Sequence, residues 1–174
     1  RVCACAGAAG RGGQAARGPK RVEADTRVGE GVDSVQQANP ATKVVVMGDL
    51  NDDATDRSIV ECLGAKGKLN EVTYGDMFNP FIAMLKAGYG SLAYRDDWNL
   101  FDNIIVSENL ATGSTGELKI QKVGDTKFYG GIFRRPYMIQ KEGQYKGYPL
   151  RTFVGNNFQG GFSDHLPVYI YIAK

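Results

Sequence analysis

Residues 22–38 place Val28, Val32 and Val35 on one stripe at helical spacing, and Asn39-Pro40 closes the run. Gly29 and Gly31 within it each cost about 1 kcal/mol relative to Ala, so packing against the rest of the chain must hold this helix. Residues 43–47, Lys-Val-Val-Val-Met, show no polar alternation and predict a strand buried on both faces at the centre of a sheet. A helix feeding such a strand belongs on the outside of a layered α/β fold. Residues 58–63 predict a short helix stopped by Gly64. Residues 74–87 carry Met77, Phe78, Phe81, Ile82, Met84 and Leu85 mostly at helical spacing around Pro80, which predicts a broken helix covering the sheet. Further strands are expected at 91–94, at the apolar 103–107, at the more exposed 117–123 and at the alternating 167–172.

Between the last two strands, residues 128–153 are polar, aromatic and basic, with Arg134, Arg135, Tyr137, Lys141 and Lys146 and breaks at Gly143 and Gly147. Such a stretch is either a functional rim, in which Arg134, Arg135 and Tyr137 bind substrate, or a surface hairpin with solvated charges. Residues 1–20 are rich in Ala, Gly and Cys without periodicity and are expected to be irregular. No apolar core of about 7–15 residues leads into them, so they are not read as a signal peptide. Arg11, Arg17, Lys20, Arg21 and Arg27 suit phosphate contacts or a solvated tail. Residues 21–174 show no internal repeat and no linker, and read as one unit.

Composition narrows the picture. The chain has 174 residues, 43% of them apolar, enough for one sizeable core. A formal net charge of +2 gives no global argument for a nucleic-acid or membrane-surface binder. No apolar run approaches the ~20 residues of a transmembrane helix. Cys3, Cys5 and Cys62 form neither a disulfide framework nor a zinc pattern.

Three polar clusters remain. Gly48-Asp49-Leu50-Asn51 lies where the 43–47 strand ends, and a period of two puts Asp49 and Asn51 on the same side of any continued strand. The alternative is a turn with Asx caps, and Asp52 and Asp53 are assigned to that local role. Asp102 opens the 103–107 strand beside Trp98 and Phe101, where a desolvated carboxylate needs a partner. Ser163-Asp164-His165 holds the sole histidine and leads into the last strand. One histidine, three carboxylates and an asparagine suit hydrolysis at phosphorus. A hard cation such as Mg²⁺ or Mn²⁺ neutralises phosphate, a carboxylate orients water, and imidazole or amide meets the developing charge. A Ser-His-Asp reading with Ser163 as nucleophile fits the residue types but not the spacing, since Ser163 lies two residues from its base and on no Gly-x-Ser-x-Gly elbow.

Gly48-Asp49-Leu50-Asn51, the aromatic-Asp102-Asn-Ile-Ile strand and Ser163-Asp164-His165-Leu166-Pro167-Val168 resemble, in this order, the last three motifs of the endonuclease/exonuclease/phosphatase superfamily. The resemblance runs from Lys43 to the C-terminus and implies the C-terminal half of a four-layer α/β/β/α sandwich. It implies a divalent-metal-dependent phosphoesterase, nucleases included, acting on nucleic acid, a phospholipid head group or a small phosphate. It would put Asp49 near the attacking water, Asn51 on the phosphate, Asp102 on His165, and Asp164 at the metal. The family's first half, with its metal-holding Glu, has no counterpart in these motifs. The competing expectation is therefore a catalytically incomplete fragment that binds or supports only. A sheet apolar on both faces with helices for only one would also call for a companion half or a second copy.

Overall fold

The computed structural model describes the backbone of residues 2–4 and 14–174, with side chains from Val22 onward. Arg11 and the side chains of Cys3, Cys5, Arg17, Lys20 and Arg21 lie outside the described residues. Strand β1 (Val2–Ala4) precedes helix α1 (Gln14–Ala38), which leads to β2 (Val45–Asp49). The expected irregular segment 1–20 thus contributes a strand, and the helix begins well before residue 22. β1 pairs with β2 in parallel, Val2 opposite Val45. Val32 is buried, with Val28 and Val35 packed beside it, against Val44 and Val46. The helical stripe therefore covers one face of the sheet as its spacing requires.

β3 (Ala65–Lys66) and β4 (Met77–Phe78) follow, then α2 (Phe81–Lys86) and a ribbon of β5 (Leu92–Tyr94) with β6 (Asp97–Asn99). Next come β7 (Asp102–Ser107) and α3 (Glu108–Ala111). The five-stranded sheet has the order β1-β2-β7-β4-β3. Its middle strand is β7, buried from Asn103 to Ser107, and not residues 43–47 as expected. Met77 and Phe78 are the second correction. They pair antiparallel with Ser107 and Val106 instead of starting a helix. Proline disfavours the helical region for the residue before it, so the chain stays extended up to Asn79. Pro80, at φ −66°, then starts α2 from its first turn, where its missing N–H costs nothing.

A second sheet is built by β8 (Lys119–Gln121), β9 (Gly130–Ile132) and, after the ribbon of β10 (Phe153–Val154) with β11 (Asn157–Phe158), β12 (Val168–Ala173). Its order is β8-β12-β9, antiparallel throughout. Ile132, Val168 and Ile170 pack on Phe81, Leu100 and Ile104, across the face of the first sheet that α1 does not cover. Part of the face expected to lie open is thus covered by the chain's own last strands, while Met47 of β2 on that face stays 40% exposed. The fold is mixed α/β.

Two glycines on α1 separate close approach from plain helix propensity. A Cβ on Gly29 would lie 2.5 Å from the Cys62 carbonyl oxygen, whereas one on Gly31 would meet nothing within 4 Å. Gly29→Ala is expected to lose on the order of 1–3 kcal/mol by overpacking against backbone. Gly31→Ala is expected to gain about 0.5–1 kcal/mol from helix propensity. Urea denaturation of both variants checks the pair; equal shifts would show that α1 does not sit on residues 58–62.

Candidate active site

β2 and β7 run antiparallel with Val45 opposite Val106, Met47 opposite Ile104 and Asp49 opposite Asp102. Directly opposed residues share a face. Along the face that meets the second sheet, the apolar pairs therefore end in a pair of carboxylates. Leu50 continues the pairing by one bond, its N–H donating to Phe101 O at 2.9 Å. Beyond it the strand geometry stops. Asn51 takes φ +53° and its N–H donates to Asp49 Oδ1 at 2.9 Å. A tight Asx-type turn brings Asn51 beside Asp49, not the strand alternation inferred from spacing; asparagine tolerates this left-handed conformation.

His165 reaches the same end from the other side. Its backbone bridges Leu92, and the Leu166 N–H donates to Ser91 O at 2.7 Å. The ring then points its Nδ1 at Asp102 Oδ2, 2.8 Å away. The Ser91 hydroxyl donates to the same oxygen. Hydrogen bonding to Asp102 raises the His165 pKa above its ordinary 6.5; partial burial opposes this, and the charges of Asp102, Asp49 and Asp164 add to it. Asp49, Asp102, Asp164 and His165 therefore form one electrostatic cluster, with Asn51 at its edge. The Ser163 reading fails, because Ser163 Oγ accepts the His165 backbone N–H at 3.1 Å instead of meeting the ring.

Other polar groups hold this constellation in place. Asp53 accepts from Asn99 Nδ2 at 2.9 Å and from the Leu100 N–H at 2.7 Å, tying the turn after β2 to the entry of β7. Asp52 accepts from the Ser58 hydroxyl, the local role assigned to it, whereas Asp53 departs from that role by reaching residues 46 and 47 positions further on. Behind Asp102, the buried Asn103 amide donates to the Leu100 and Phe101 carbonyls and accepts from Asn79 Nδ2 at 2.9 Å. Sequence reasoning missed Ser91, Asn79 and the role of Asn103. Asn103 carried a signal, since an amide opening an otherwise apolar buried strand requires partners. Ser91 carried none.

Arg134, Arg135 and Tyr137 are not part of the cluster. Both arginines line a cavity of about 570 Å³ that none of the clustered residues borders. Tyr137 comes nearer, its ring meeting that of Phe162 edge-on at 5.7 Å, three residues before His165.

The described residues contain no group of three or more His, Cys, Asp or Glu side chains arranged to enclose a metal. A hard cation such as Mg²⁺ does not need one, being held by one or two carboxylates with water and phosphate oxygens. Asp102 is engaged by His165 and Ser91, which leaves Asp49 and the exposed Asp164 as the carboxylates that fit. Among the described residues no helix is long and apolar enough to cross a membrane.

The profile of the endonuclease/exonuclease/phosphatase family matches residues 7–174. That span extends well before Lys43, where the recognisable motifs begin. No curated protein and no solved structure matches the chain.

A sole histidine makes the cluster directly readable. The ¹H–¹⁵N or ¹³C NMR titration of His165 is expected to give a pKa above 6.5 in the wild type and a lower one in Asp102→Asn. Because the folded value is raised, the stabilisation from this pair is complete below pH 6.5 and is lost as pH rises through the raised value. An unchanged titration in Asp102→Asn would remove the pair from the account.

Proposed function

The chain belongs to the endonuclease/exonuclease/phosphatase family, whose members are typically hydrolases of phosphate esters, and on that footing we propose that it is a divalent-metal-dependent phosphoesterase working through the Asp49–Asp102–His165 cluster. The observation that carries the reading is the 2.8 Å contact between Asp102 and His165, set opposite Asp49 at the open end between two sheets. The proposal takes residues 21–174 as the unit that bears the site.

Each residue has a task that its surroundings support. Asp102 fixes the ring by accepting at Nδ1, which leaves Nε2, free of hydrogen bonds among the described residues, to face the substrate. With its pKa raised, His165 is an imidazolium over a wider range of pH and donates a proton or a hydrogen bond to a phosphate oxygen. Asp49, one oxygen held by the Asn51 N–H, orients and deprotonates the attacking water with the other. The Asn51 side-chain amide donates to a phosphate oxygen. Mg²⁺ or Mn²⁺ held by Asp164 would neutralise the phosphate and stabilise the leaving oxygen. Arg134, Arg135 and Tyr137 hold parts of the substrate away from the reacting phosphorus. A companion half or second copy would use the outward side of β12, where Tyr171 is 53% exposed.

A second reading is a catalytically incomplete half that only binds: among the described residues the carboxylates that fit a cation number two, Asp49 and Asp164, with no third donor grouped beside them. Turnover of a generic phosphodiester separates the two. Hydrolysis should need Mg²⁺ or Mn²⁺, stop in EDTA, and fall about 10²–10⁴-fold in His165→Ala. The alkaline limb of its pH profile should move to lower pH in Asp102→Asn, following the histidine. Turnover indifferent to EDTA refutes the metal, and no turnover with either metal leaves the binding half as the answer.

A further inference from the structure

The cavity beside Arg134 and Arg135 has a composition that the cluster at His165 does not explain. Four cations line it, Arg134, Arg135, Lys141 and Lys146, with Gln140 and no carboxylate. Two other cavities each include acids, Asp96 in one and Asp33 with Glu61 in the other. None of the four cations makes a salt bridge among the described residues. Its volume, about 570 Å³, lies within the roughly 300–1,000 Å³ of small-molecule sites.

The two arginine side chains are also held in position, and the backbone of the loop that carries the lysines is closed. The Arg134 guanidinium lies 5.2 Å over the Trp98 ring and donates to the Gly147 carbonyl at 3.2 Å. That of Arg135 lies 4.9 Å over Phe133. The loop carrying Lys141 and Lys146 is closed by backbone bonds from Gln140 to Tyr148 and from Gly147 to Gln140. Guanidinium groups fixed before a ligand arrives lose less freedom on binding, and their fork matches phosphate oxygens.

Backbone bonds also fix where this loop stands. The Leu150 N–H donates to Met138 O, and the Phe162 N–H donates to Leu150 O. Three chain segments therefore lie side by side, and the third runs on into Asp164 and His165. None of the residues clustered at His165 borders the cavity, so a phosphate seated there is a different group from one reacting at His165, as in a linked series.

We infer that this cavity is a second phosphate subsite, and that the substrate carries linked phosphates, with a non-reacting one seated among Arg134, Arg135, Lys141 and Lys146. The inference rests on the phosphoesterase reading for the word substrate, but the binding itself is testable without turnover. Wild-type chain and the Lys141→Gln/Lys146→Gln variant, both kept in EDTA, are titrated with a fluorescein-labelled single-stranded oligonucleotide at several salt concentrations. Tripolyphosphate serves as competitor, and phosphatidylserine vesicles as a separate probe. The variant is expected to bind about tenfold more weakly, with a slope of log affinity against log salt shallower by about 1.4, 0.7 for each lost cation. Competition by tripolyphosphate as well as by unlabelled oligonucleotide identifies linked phosphates as the chemistry recognised. Equal affinity and slope in the two proteins would overturn the subsite, as would vesicle binding without any competition by the soluble phosphates. Failure of every turnover assay would refute the phosphoesterase and leave this binding result standing.

Discussion

Asp102 opens β7, a strand buried from Asn103 to Ser107, and its carboxylate meets an imidazole 63 residues further on. Much of the architecture serves to make that meeting possible. β7 sits in the middle of its sheet, its start paired with β2 at Asp49 and its far end, Val106 and Ser107, paired with β4. β12 must cross the same face, so that the residues leading into it arrive at the same end. A half-buried carboxylate is costly unless paired, and here it is paired twice, to His165 and to Ser91. The buried Asn79–Asn103 pair then fixes the entry of the strand from the other side of the backbone. Removing both partners would leave an uncompensated charge at the start of β7.

The packing around it is arranged to leave that end open. Gly130 and Gly131 in β9 lie against rings, with Phe81 3.0 Å and Tyr169 2.4 Å from where their Cβ atoms would stand. No other residue permits β9 to approach so closely on both faces. The two sheets are thereby held together by Ile104, Val168 and Ile170, while Asp49 and Asp102 lie where that apolar contact stops. The His165 and Asp102 side chains keep 23% and 18% of their surface exposed, a setting in which a charge-assisted hydrogen bond is strong yet accessible to a ligand.

Much of this was legible in the residues, for identifiable reasons. The valine stripe of α1 and the alternating last strand each have one strong period, and the runs ending in Asp49 and beginning after Asp102 are continuously apolar, the mark of a buried strand. Met77 and Phe78 were misjudged because their spacing fits a helix equally well, and only the constraint imposed by Pro80 and the pairing with β7 decide for a strand. The rank of strands in the sheet was not legible at all, since 43–47 and 103–107 are equally apolar and differ only in which neighbours the topology gives them. The Asp102–His165 partnership came from family resemblance; sequence separation hides it, and no local pattern announces Ser91. Arg134 and Arg135 were picked out by composition, which cannot tell a rim of the site from a cavity beside it.

The proposed activity depends on Asp102 and His165 acting as one unit. A double-mutant cycle in kcat/KM, with Asp102→Asn, His165→Ala and the two combined, measures that directly. If Asp102 acts only through the ring it holds, the double variant should be no slower than His165→Ala alone, since effects of residues working as a unit are strongly non-additive. Losses that multiply, with the double variant slower by the full product of the single ones, would show that the two side chains act independently and contradict the account.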